Sequence, residues 1–149
     1  MPPVKVIVSN RRARRDYEIV ETVECGIVLL GSEVKSIKAG MVSIAEAYAE
    51  PVGNEIWLKD MHVAAYPHAG QFGHEPTRPR KLLLRKDEIK RLVGKVSRRG
   101  YTLVPLSIYL KRGIIKLELG LGRGKRKYEK RDVIKRRDME RDIRRELKG

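Results

Sequence analysis

The sequence predicts a small, mostly β domain with two or three flanking helices and a basic C-terminal tail. About six stretches alternate between apolar and polar residues, as half-buried strands do, and turn residues separate them at short intervals. Two further stretches carry apolar residues at helical spacing. At 149 residues, this combination fits a small antiparallel β-barrel of the oligonucleotide-binding type with helices outside; an open α+β sheet is the alternative.

The alternating stretches give the strand order. Residues 4–8 predict an edge strand, and residues 17–30 predict a long half-buried strand with Cys25 on its apolar side. Residues 45–58 predict a hairpin. Two more strands are predicted at 102–110 and 115–121, with Pro105 marking an edge or a bulge in the first of them.

Two helices are predicted between these strands. Residues 31–40 predict a short helix that Ser32 caps, with Glu33, Lys35 and Ser36 on its exposed face. The clearer helix spans 87–99, and its apolar residues recur at i, i+3, i+4 and i+7: Ile89, Leu92, Val93 and Val96.

The charge points to a polyanionic partner. The chain has 34 Lys and Arg against 19 Asp and Glu, a net charge of +15, and residues 120–149 hold 13 of these cations and 6 of these acids. Such a balance favours nucleic acid over a membrane surface. Gly120, Gly122 and Gly124 predict a hinge, so we expect a body at 1–119 and a tail at 120–149 that is disordered until it becomes helical on a polyanion.

Known catalytic patterns are missing from the sequence. It has no phosphate-binding loop, no Gly-x-Ser-x-Gly and no Cys-x-x-Cys, and the spacing of His62, His68 and His74 fits no metal-ligand pattern. We therefore expect a binding protein with no catalytic residue, no cofactor and no metal. A single cysteine and the lack of a signal peptide or membrane-spanning run favour the cytoplasm. A general RNA-binding or ribosomal protein and an enzyme acting on RNA are the alternatives.

Five segments, taken together, resemble one family. They are Asn10-Arg-Arg-Ala-Arg-Arg-Asp-Tyr17, Gly31-Ser-Glu-Val-Lys-Ser-Ile37, Pro76-Thr-Arg-Pro-Arg-Lys-Leu-Leu-Leu84, Gly100-Tyr-Thr-Leu-Val-Pro-Leu106 and Gly124-Lys-Arg-Lys-Tyr-Glu-Lys-Arg131. In this order they are similar to the SsrA-binding protein family, also called small protein B, and they span nearly the whole chain.

The resemblance implies a function in ribosome rescue. A member of this family binds the tRNA-like domain of transfer-messenger RNA (tmRNA) and delivers the alanine-charged RNA to stalled ribosomes, where the nascent chain is tagged for degradation in trans-translation. Its tail enters the message channel of the small ribosomal subunit beside the decoding centre. We expect a monomer with no membrane partner.

The resemblance also implies which residues act. Glu33, Lys35 and Ser36 match positions on the surface that meets tmRNA. Seven further candidates for tmRNA binding are Asn10, Arg11, Arg12, Arg14, Arg78, Arg80 and Lys81. The residues expected to bind the ribosome are Lys125, Arg126, Lys127, Tyr128, Glu129, Lys130 and Arg131, where Glu129 replaces the family's usual aspartate.

Overall fold

The computed structural model describes residues 4–65, 74–97 and 100–124. In chain order the elements are β1 (Val4–Ser9), α1 (Arg11–Asp16), β2 (Tyr17–Ile27), α2 (Gly31–Lys38), β3 (Val42–Ser43), β4 (Tyr48–Val52), β5 (Glu55–Lys59), β6 (His62–Val63), β7 (Arg80–Leu83), α3 (Lys86–Val96), β8 (Tyr101–Lys111) and β9 (Ile114–Gly124).

Six of these strands close into a ring. Neighbours pair in the order β8, β4, β5, β7, β2 and β9, and β9 pairs with β8 to complete the ring. The pairings are antiparallel, and β1 is added outside the ring on β8. The predicted antiparallel barrel is therefore confirmed, as is the edge position of β1, and the register shift between Pro105 and Ser107 is the bulge that the proline predicted.

The barrel encloses one main hydrophobic core. Leu58, Leu103, Ile108 and Leu117 are at most 1% exposed, because they lie on the inward side of their strands. Cys25 belongs to the same cluster, and burial raises the pKa of its thiol to about 12. The cysteine is thus a packed, protonated core residue, as the strand alternation predicted.

The helices cover parts of this barrel. Leu92 of α3 is 1% exposed and Ile89 and Val96 pack beside it, which confirms the periodicity of that segment. In α2 the predicted cap is wrong: the Leu30 N–H donates to Glu33 Oε1 at 2.8 Å, and Ser32 does not cap the helix. Helix α1 was not predicted, because a segment with four arginines in six residues has no apolar periodicity.

The predicted glycine hinge is wrong for residues 120–124. These residues belong to β9 and pair with both β2 and β8. A Cβ at Gly120 would lie 2.7 Å from Leu106 Cδ1, and one at Gly122 would lie 3.0 Å from Tyr17 Cβ. The glycines allow close packing. The expected body–tail boundary after Leu119 therefore cuts through β9, and the body reaches Gly124.

Candidate nucleic-acid interface

A buried ion-pair network joins α2 to β7. Glu33 and Arg80 are both 0% exposed. Glu33 Oε2 accepts from Arg80 Nε at 2.8 Å and from Arg78 Nε at 2.9 Å, while Glu33 Oε1 accepts from Arg78 Nη2 at 2.7 Å. Arg80 donates its remaining hydrogen bonds to the backbone carbonyls of Met61, Pro76 and Arg78. One carboxylate thus serves two guanidinium groups.

Glu33 remains ionised in this setting. Burial alone raises the pKa of its carboxyl, but hydrogen bonds from Arg78, the Leu30 N–H and Arg80 outweigh that effect and hold the pKa below its usual value. The charged form is therefore the one that the fold requires, and its loss would leave Arg80 buried without a full counter-charge.

Two more partly buried polar contacts attach α2 to Ala64 and His74. Ser36 Oγ donates to the Ala64 carbonyl at 2.8 Å. His74 Nε2 lies 2.8 Å from the Val63 carbonyl oxygen, which can only accept, so Nε2 carries a proton. The Ser32 hydroxyl lies 2.8 Å from His74 Nδ1. These bonds fix the position of α2 on the barrel.

Three of the residues predicted to contact tmRNA are therefore buried. Glu33, Ser36 and Arg80 were expected to contact RNA, but all three are 0% exposed and hold α2 and β7 together. Their exposed neighbours are better placed for contact. Lys35 is exposed on α2, and the side chains of Arg78 and Lys81 are 27% and 39% exposed.

An exposed apolar group, which was not predicted from the sequence, lies beside these cations. Val28, Leu30 and Leu83 are 44%, 48% and 50% exposed. Leu83 sits across from Gly26, where a Cβ would lie 3.3 Å from the Leu83 side chain. Residues 81–84 read Lys-Leu-Leu-Leu, so alternation could not show which leucine points outward. We call this set the β7 surface: Val28, Leu30, Lys35, Arg78, Lys81 and Leu83.

Asn10 is likewise a structural residue. It is 3% exposed, and its Oδ1 accepts from the Ala13 N–H at 3.0 Å, which caps α1. Its Nδ2 donates to the carbonyls of Ile44 and Pro105 at 3.0 and 2.9 Å. Asn10 was predicted to contact RNA, but its side chain is buried and forms its hydrogen bonds within the fold. It attaches the arginine-bearing helix to the barrel.

The α1 arginines are exposed and partly neutralised. Arg12 pairs with Glu46, and Arg14 Nη2 lies 3.0 Å from Glu118 Oε1. Arg11 is also exposed. Between α1 and the chain before β4 lies a cleft of about 630 Å³, where Asp16 and Glu46 offset the charge of Arg12. The cleft itself is a poor site for phosphate, because the carboxylates of Asp16 and Glu46 line it.

The seven predicted ribosome-binding residues, 125–131, lie outside the described residues. Within residues 4–65, 74–97 and 100–124 no group of three His, Cys, Asp or Glu side chains could hold a metal ion. The helices in those ranges are also too short or too polar to cross a membrane.

Comparison with known proteins decides the family. The family model described as SmpB protein matches residues 7–149. The chain belongs to the SmpB protein family. It is 51% identical over 146 residues to the SsrA-binding protein of Treponema denticola, covering 98% of this chain and 95% of that protein. It is 55% identical over 145 residues to the SsrA-binding protein of a Roseiflexus species, covering 97% and 92%.

A solved structure of an SmpB protein shares the fold. The structure is called "tmRNA-SmpB: a journey to the center of the bacterial ribosome". Its matching chain is 49% identical, has a TM-score of 0.68, and the match covers 80% of this chain and 84% of that chain. The resemblance that the five sequence segments carried is thereby confirmed, as is the barrel that it implied.

Proposed function

We propose that this protein binds tmRNA and acts in the rescue of stalled ribosomes by trans-translation. Its SmpB family membership, over residues 7–149, is the observation that carries this proposal. The names of its relatives and of the matching solved structure refer to SsrA, tmRNA and the bacterial ribosome. The net charge of +15 supplies the electrostatic attraction that such an RNA partner requires.

The β7 surface is our candidate for the tmRNA contact on the body. Lys35, Arg78 and Lys81 supply donors for phosphates, and Val28 and Leu83 supply apolar area for an exposed sugar or base. Because the Glu33 network fixes α2 against β7, these groups are held in place before RNA arrives. Arg11, Arg12 and Arg14 extend the basic area onto α1.

The remaining parts of the proposal are the ribosome contacts of residues 125–131 and the place where the protein acts in the cell. In our proposal Lys125, Arg126, Lys127, Lys130 and Arg131 meet ribosomal phosphates and Tyr128 stacks on a base near the decoding centre. The protein works by binding and positioning RNA, without catalysis of its own, in the cytoplasm.

A truncation after Gly124 tests the division of labour. Because β9 ends there, this variant keeps the whole barrel. We expect it to bind tmRNA but to fail to support tagging of stalled nascent chains in a reconstituted translation system. A truncation after Leu119 is the matched control, and it should unfold because it removes the end of β9. Loss of tmRNA binding by the folded Gly124 truncation, with tagging intact, would reverse the roles proposed for the two parts.

A competition experiment separates this function from general RNA binding. In ~0.2 M salt, nonspecific phosphate contacts weaken steeply, so excess bulk RNA should not displace tmRNA from the full chain. Equal displacement by both RNAs would favour the general RNA-binding alternative.

A further inference from the structure

Helix α3 contains an exposed glycine that the fold does not explain. Gly94 lies inside the helix, and its φ lies outside the left-handed region. A Cβ built there would meet no atom within 4 Å. Glycine inside a helix costs roughly 0.8–1 kcal/mol relative to alanine, so alanine would fit and would stabilise the helix. Within the described residues, packing gives no reason for the glycine.

Cations flank this glycine on the outer side of α3. Leu92 faces the core and is 1% exposed, and Gly94, two residues later, lies about 200° around the helix from it. Lys90 and Arg91 precede Gly94 by one turn, and Lys86 lies one turn before Lys90. Residues 85–97 contain five cations and two carboxylates.

The carboxylates nearby leave part of this charge uncompensated. Glu21 pairs with both Arg91, at 2.5 Å, and Lys95, at 3.3 Å. Asp87 is engaged by Arg85 at 3.2 Å. Lys86 and Lys90, in contrast, have no ion-pair partner among the described residues. Together with Asp87, Ile89 and Asn54 of the β4–β5 turn, they line a cleft of about 490 Å³.

Helix α3 follows directly after the β7 surface along the chain. Leu83 ends β7, Arg85 is exposed, and Lys86 begins α3 three residues after that leucine. Arg85, Lys86 and Lys90 are therefore the exposed cations that follow the β7 surface along the chain, with Asp87 and Glu88 as the acidic residues among them.

We propose that the outer face of α3, formed by Lys86, Lys90, Arg91 and Gly94, binds the sugar–phosphate backbone of tmRNA. Lys86 and Lys90 donate to phosphate oxygens, and Gly94 leaves room for the RNA backbone to approach the helix closely. This contact rests on the proposed function, because it extends the surface on which tmRNA lies. It adds affinity without reading sequence, since phosphates are the same in every nucleotide.

The test uses substitutions of Gly94 that should increase thermal stability but decrease tmRNA affinity. In the full chain, Gly94→Ala should raise the melting temperature through helix propensity, yet weaken tmRNA binding about threefold, and Gly94→Gln should weaken it about tenfold. Lys90→Ala should lower the slope of log affinity against log salt by about 0.7–1, as expected for one lost phosphate contact. Lys5→Ala is the matched control, because it removes one exposed cation from β1.

Each outcome decides the proposal. If Gly94→Gln binds tmRNA like the wild type, or Lys90→Ala changes the salt slope no more than Lys5→Ala, the α3 contact is wrong while the proposed function stands. If these variants bind tmRNA normally and lose only ribosome affinity, the contact is to ribosomal RNA and our assignment is overturned. If the wild-type chain itself shows no preference for tmRNA over bulk RNA, the failure lies in the proposed function.

Discussion

Replacing Glu33 with glutamine distinguishes a structural role from an RNA-contact role. The side chain keeps its shape, but Arg78 and Arg80 lose their shared counter-charge, and an amide N–H₂ must face a guanidinium donor. Arg80 is 0% exposed, so water cannot take the carboxylate's place. Removing one partner of a buried ion pair typically costs about 3–5 kcal/mol, a large part of the roughly 5–15 kcal/mol that stabilises a domain.

Urea unfolding followed by circular dichroism measures this loss. We expect Glu33→Gln to lower the unfolding midpoint strongly, with a melting temperature about 10–20 °C below that of the wild type. Glu55→Gln is the matched control, because Glu55 also pairs with a β7 cation, Lys81, but its side chain is 43% exposed. That control should leave the midpoint nearly unchanged.

The RNA-binding measurement completes the argument. At a temperature where Glu33→Gln is still folded, its tmRNA affinity should fall only as far as the β7 surface loses its order. If Glu33→Gln were as stable as the wild type and yet lost tmRNA binding, Glu33 would touch RNA directly. The scaffolding role that its contacts indicate would then be refuted.

Three further predictions concern the pKa of Glu33, the packing of Gly120 and the exposed side chain of Leu83. The lowered pKa of Glu33 stabilises the fold above the carboxyl's unfolded-state pKa, so unfolding free energy should fall as pH drops through the folded-state pKa, and a urea series at several pH values should show a shallower fall for Glu33→Gln. Gly120→Ala should cost about 1–3 kcal/mol in chemical denaturation, because its Cβ would lie 2.7 Å from Leu106 Cδ1, and pairing it with Leu106→Ala should show non-additive costs. Leu83→Ser should weaken tmRNA binding about tenfold in a filter assay while the melting temperature stays close to the wild type, since Leu83 is 50% exposed; an unchanged affinity would remove it from the interface.

The elements that were predicted correctly from the sequence are those whose residues show a local periodicity. The alternation in 17–30 and in 102–121 gave the long strands, and the spacing of Ile89, Leu92 and Val96 gave α3. Both patterns depend on neighbours a few residues apart, which the chain itself displays.

The positions that the sequence misplaced depend on distant partners. Glu33 looked exposed because polar residues on a short helix usually face solvent, but its partners Arg78 and Arg80 lie 45 and 47 positions away. Asn10 is buried, and its side-chain amide donates to carbonyls that lie 34 and 95 positions away. The glycines of 120–124 looked flexible, and only the neighbouring strands show that Leu106 and Tyr17 occupy the space a side chain would need.

The network beneath the β7 surface contains two guanidinium groups and one carboxylate, and this imbalance affects how RNA binding depends on salt. With Glu33 shared between Arg78 and Arg80, one positive charge is left over, and Arg80 lies where dissolved salt cannot reach it. Charges shielded from solvent are screened far less than those on the surface. Part of the attraction toward an anionic partner should therefore persist at ionic strengths that screen the charges of the exposed lysines.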